Sequence, residues 1–137
     1  MVAFETVSVP ATPDGIRRAA DAFEAFGASR HLTADVRWRF QVAIDEVLSN
    51  IVRHGYRGGA GEVELSFGLT AHTIDVAIAD SSPPFDPLSF NPPPGGDLDH
   101  RPAGGRGIAL VRSLMDDVRY ERREERNHLL ISVRVSQ

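Results

Sequence analysis

A chain of 137 residues that is 42% hydrophobic and 25% charged, with a net charge of −4, has the composition of one ordinary globular domain. It contains no cysteine and no lysine, which excludes disulfide staples, thiolate metal sites, lysine Schiff-base chemistry and the lysine-dependent P-loop. The negative charge disfavours direct nucleic-acid binding, which needs a basic patch, and no window approaches the ~20 apolar residues of a membrane span. Residues 1–9 lack a signal-peptide pattern, so a cytoplasmic protein away from the membrane is expected.

In chain order, Phe4 to Val9 suits a short edge strand. Thr12-Pro13-Asp14 then opens a helix whose stripe is Ile16, Ala19, Ala20, Phe23 and Phe26, with Gly27 expected to close it. Thr33 caps a second helix, with Val36, Phe40, Ala43, Ile44, Val47 and Ile51 on one face and an end at Gly55. Trp38 and Phe40 both read as packing residues.

Alternation predicts strands over Val63–Leu69 and Ile74–Ile78, joined near Ala71-His72. Prolines and glycines crowd the segment from Ser81 to Gly104, which permits neither helix nor central strand and suits a lid. A third helix is expected over roughly 108–117, then strands at 118–122 and 128–135 around a turn at Glu124–Asn127. This order implies one domain over residues 1–137, a two-layer α/β sandwich with helices on one face of a mixed, largely antiparallel sheet.

Three features carry chemistry. Glu46 and Asn50 stand four apart on a helix, so both can face one ligand. A carboxylate there can act as a base and an amide oxygen is a hard ligand for Mg²⁺, although such a pair also suits a solvated helix face. Arg53, three residues on, can meet a phosphate. Asp80 falls by alternation on the apolar face of its strand, where it needs a strong donor: the amino group of a purine, or the N–H of an ordinary Asx-turn. Gly105-Arg106-Gly107, directly before the third helix, offers backbone N–H groups to a phosphate, as many glycine-rich loops do. The five histidines form no HExxH site, and His54 in the last helical turn suits capping or packing.

Three segments in order carry a resemblance that covers nearly the whole chain. Phe40 to Tyr56 (FQVAIDEVLSNIVRHGY) is similar to the N-box of the anti-sigma-factor serine/threonine kinases, within the histidine-kinase-like (GHKL) ATPase superfamily. Ile78 to Pro87 (IADSSPPFDP) resembles their first glycine box, and Gly105 to Asp116 (GRGIALVRSLMD) their second. The resemblance implies ATP and Mg²⁺ as cofactors. It assigns Glu46 as general base, Asn50 as Mg²⁺ ligand, Arg53 to the phosphates, Asp80 to the adenine amino group, and Gly105, Arg106 and Gly107 to the phosphate tail. It further implies a kinase that phosphorylates an antagonist protein, sequesters a sigma factor and forms a homodimer. One departure stands out: Ser82 and two prolines occupy the place where the first glycine box usually has Gly, which would narrow the space beneath a base. The alternative is a partner-switching binding module that holds ATP structurally or not at all.

Overall fold

The computed structural model describes residues 3–85 and 103–135, with 103–107 described by their backbone course. The elements are β1 (Ala3–Pro10), α1 (Pro13–Ser29), α2 (Ala34–Asn50), a π-helical turn (Ile51–Gly55), β2 (Glu62–Leu69), β3 (Thr73–Asp80), α3 (Ala103–Leu114), β4 (Asp117–Arg123) and β5 (Arg126–Arg134). Both long helices start where a threonine hydroxyl accepts an N–H of the first turn, Gly15 on Thr12 Oγ1 at 3.0 Å and Val36 on Thr33 Oγ1 at 3.2 Å. No helix among the described residues is long and apolar enough to cross a membrane.

The five strands lie in the order β1-β2-β3-β5-β4, and all four pairings are antiparallel. The expected two-layer α/β sandwich is therefore present, with an entirely antiparallel sheet rather than a mixed one. Val63, Leu65 and Phe67 of β2, Ile74, Val76 and Ile78 of β3, and Leu129, Ile131 and Val133 of β5 are buried in one core with the helices. Alternation leaves the opposite face polar, the pattern of a sheet covered on one side only. Four buried phenylalanines knit the layers: Phe23 lies 5.2 Å from Phe40 and 5.4 Å from Phe67 between ring centroids, and Phe26 lies 5.6 Å from Phe67.

Several expectations need correction. The first helix does not stop at Gly27 but runs on to Ser29, because Gly27 is a crossing point: a Cβ there would sit 2.9 Å from Arg37 Cδ of α2. Trp38 is 57% exposed while Phe40 is buried, since two helical residues apart means opposite faces. The third helix begins at Ala103, about five residues early, so Gly105, Arg106 and Gly107 are helical rather than a loop before the helix. Glycine costs about 1 kcal/mol per helical position, but Ile108, Val111 and Met115 are buried and hold the helix by packing. The final turn is tighter than expected, with only Glu124 and Glu125 at φ 55° and 61°, and Asn127 belongs to β5. The lid expected over 81–104 lies from residue 86 to residue 102 outside the described residues.

Candidate nucleotide site

The end of α2 and the facing ends of β3 and β5 enclose a cavity of about 20 Å³, lined among others by Asn50, Asp80, Phe85, Tyr120 and Asn127. Helical spacing brings Val47, Asn50 and Ile51 to it, and the register pairs Asp80 with Asn127 across β3 and β5. The π-turn starts immediately after Asn50, with Tyr56 N–H donating to Ile51 O at 2.8 Å, a local widening often found beside functional positions.

Asn50 is 2% exposed, and neither its Oδ1 nor its Nδ2 has a hydrogen-bond partner among the described residues. Leaving such an amide unpaired costs about 1–3 kcal/mol per group, so its chemistry calls for a polar ligand. Asp80, 3% exposed, is the opposite case. Its Oδ1 accepts the Ser82 N–H at 3.0 Å, the Ser82 hydroxyl, and Asn127 Nδ2 at 3.1 Å. Oδ2 takes no donor among the described residues.

Asn127 is the hub. Its Oδ1 accepts from Tyr120 Oη at 2.6 Å, Phe85 N at 3.2 Å and Arg122 Nη1 at 3.2 Å, while its Nδ2 also reaches Pro83 O at 3.1 Å. Donors on one side and acceptors on the other leave a single sensible amide orientation. Arg122 Nη1 also donates to Ser82 O at 2.8 Å, and Ser81 N–H donates to Tyr56 Oη at 2.9 Å. The turn after β3 is thus held from both sides.

Ser82 is buried in the turn after β3. Its side chain is 2% exposed and turns toward the π-turn, where a Cβ on Gly55 would fall 2.6 Å from Ser82 Oγ. The glycine missing from the turn is matched by one across from it. Gly55→Ala is therefore expected to destabilise the fold by about 1–3 kcal/mol in urea unfolding, through overpacking, and Ser82→Gly in the same chain to restore most of the loss. Wild-type stability in Gly55→Ala would rule the contact out.

The remaining candidates are dispersed. Glu46 is half-buried one turn before Asn50, beside the cavity rather than among its lining residues. Arg53 is exposed, with Nε bonded to Ser49 O at 3.4 Å. Gly105 falls among the first N–H groups of α3 that have no intrahelical acceptor, whereas the helix from Ala103 gives the N–H groups of Arg106 and Gly107 acceptors four residues back. His54 is exposed and stacks on Phe85, with ring centroids 6.2 Å apart. Asn127, Phe85 and Gly55 escape detection from sequence. An asparagine in a predicted turn looks like turn chemistry, and only its place opposite Asp80 would have singled it out.

The donor set suits a purine and a metal-bound triphosphate, with one reservation of size. A cavity of about 20 Å³ holds one water, so a base enters only if lining side chains move. No group of three or more His, Asp or Glu suited to a metal occurs among the described residues, so a Mg²⁺ beside Asn50 would take most of its ligands from phosphate and water.

A family model described as a histidine kinase-like ATPase domain matches residues 9–133. The serine/threonine-protein kinase BtrW of Bordetella bronchiseptica is 32% identical over 102 residues, 73% of this chain and 72% of that protein. The serine-protein kinase RsbW of Bacillus cereus is 33% identical over 87 residues, covering 57% of this chain and 52% of the relative, so the match spans about half its length. A crystal structure of the RsbU and RsbW domains of Rv1364c from Mycobacterium tuberculosis superposes with a TM-score of 0.70 at 14% identity, over 99% of this chain and 33% of that one, which speaks for the fold. With the family model covering most of its length and a kinase relative matched over two thirds of both proteins, the chain belongs to the histidine-kinase-like ATPase family, in its branch of anti-sigma-factor serine/threonine protein kinases.

Proposed function

We propose that the chain, acting as one unit over residues 1–137, phosphorylates a Ser or Thr of an antagonist protein and separately sequesters a sigma factor, as a homodimer using ATP and Mg²⁺. The observation that carries the nucleotide reading is one cavity joining an Asn50 amide, without a hydrogen-bond partner among the described residues, to the Asp80 carboxylate. In this reading Asp80 Oδ2 accepts the exocyclic amino group of adenine and Asn50 Oδ1 is a Mg²⁺ ligand. The free N–H group at Gly105, together with Arg53, faces the phosphates, and those at Arg106 and Gly107 join it only where the first turn of α3 opens. Glu46 takes the proton of the acceptor hydroxyl. Bound Mg-ATP supplies the transferable phosphoryl group and neutralises its charge; the protein's share is positioning and one base.

The second reading, a binding module without transfer, is favoured by the water-sized cavity and by the internal donors already on Asp80 Oδ1. Calorimetric titration with Mg-ATP tests first whether the site that the kinase reading requires binds its nucleotide. Asp80→Asn is expected to weaken binding by about 1–3 kcal/mol, because a buried acceptor of the amino group is lost. An unchanged affinity would remove Asp80 from the base site, and no binding by the wild type would favour the module.

A further inference from the structure

We propose that Tyr56 is a positioning residue, whose hydroxyl sets the base side of the nucleotide site against its metal side. The proposal rests on the reading of Asp80 as the base acceptor and Asn50 as the metal ligand, and adds what holds the two together. Asn50 ends α2 and Asp80 ends β3, so their relative placement depends on how the segments after them are tied. The register pairs Val63 with Asp80, and one step further it would set Glu62 opposite Ser81. At that step the Tyr56 hydroxyl stands between the two strands. It accepts the Ser81 N–H at 2.9 Å and donates to Glu62 O at 2.9 Å. The phenol thus relays the ladder through a side chain, holding the turn after β3 at a fixed distance from β2, with its one donor and an acceptor site both used.

The backbone around Tyr56 aims the ring. Its N–H closes the π-turn on Ile51 O at 2.8 Å, its carbonyl accepts the Gly59 N–H at 2.8 Å, and the Gly58 N–H reaches back to Val52 O at 3.0 Å. The loop so folded brings Gly61 flush against the ring, where a Cβ would overlap it. One residue earlier, Gly55 packs on Ser82. That contact limits how closely the two segments approach, and the hydrogen bond, being directional, fixes how they are turned. The π-turn starts directly after Asn50, and Ser81 directly follows Asp80. One hydroxyl therefore links both ligand groups by a short path. A ligand that uses both ends gains from their being set in advance, whereas one that uses a single end does not.

The test is the affinity of the full chain for ATP, measured by calorimetry with Mg²⁺ and again in EDTA. The ratio of the two reports what the metal side adds to a base already seated. The wild type is expected to bind ATP more tightly with Mg²⁺, and Asn50→Ala to lose that gain. Tyr56→Phe keeps the ring and removes only the hydroxyl. Its affinity for ATP in EDTA should stay close to that of the wild type, while its gain from Mg²⁺ falls by roughly fivefold, the worth of one hydrogen bond. General loosening of the fold would weaken both measurements alike and leave the ratio unchanged, and that outcome overturns the proposal. So does a Tyr56→Phe chain that circular dichroism shows to be unfolded, since the hydroxyl is then structural. Failures of the two readings stay apart. No gain from Mg²⁺ in the wild type, including no binding at all, or a full gain in Asn50→Ala, overturns the reading of the site and the role of Tyr56 with it. A gain lost in Asn50→Ala but kept whole in Tyr56→Phe overturns the role of Tyr56 alone.

Discussion

Glu46→Gln is expected to bind Mg-ATP like the wild type while phosphate incorporation into an antagonist protein falls by roughly 10²–10⁴-fold, the usual contribution of a positioned general base. The amide keeps the size and most hydrogen bonds of the carboxylate and removes only its basicity. Glu46 is half-buried on α2 and outside the cavity lining, so the exchange should leave the base site alone. Asn50→Ala makes the contrast, because it deletes a buried amide inside the cavity and should weaken Mg-dependent binding and transfer together. The measurement is incorporation of labelled γ-phosphate into an antagonist that co-purifies with the chain, beside a calorimetric titration of each variant. Equal transfer by Glu46→Gln and wild type would remove Glu46 from the chemistry. Binding of ATP without transfer to any antagonist would leave the binding module as the function.

Phe23→Ala is expected to cost about 3–5 kcal/mol in chemical denaturation, the range for deleting a buried aromatic ring with partial collapse of the cavity. Phe23 is 0% exposed and contacts Phe26 of its own helix, Phe40 of α2 and Phe67 of β2, the last edge-on. Removing it opens a gap where two helices and the sheet meet. A total stability of about 5–15 kcal/mol leaves such a variant close to unfolding. A loss under about 1 kcal/mol would mean that α1 repacks freely and that this cluster does not hold the layers together. None of the four rings lines the cavity at Asp80, so the fraction that stays folded should keep its nucleotide affinity.

Local rules account for what could be read from residues alone. Period-2 alternation put Asp80 on the inner face with Ile74, Val76 and Ile78, and helical spacing set Asn50 one turn from Glu46 beside the apolar stripe. Thr12 and Thr33 marked helix starts because a hydroxyl acceptor there satisfies a first-turn N–H. Such signals act over a few residues. Propensity misjudged α3, since three glycines read as a break until the burial of Ile108, Val111 and Met115 is known. The partners of Asp80 lay further out of reach: Asn127 is 47 residues away and meets it through the register of β3 on β5, which no local periodicity encodes. From the residues alone Ser82 could be seen only as a missing glycine. Its side chain found room against Gly55 because a π-turn carries that glycine up to the end of β3, and a close approach between two segments exists only once the chain has folded.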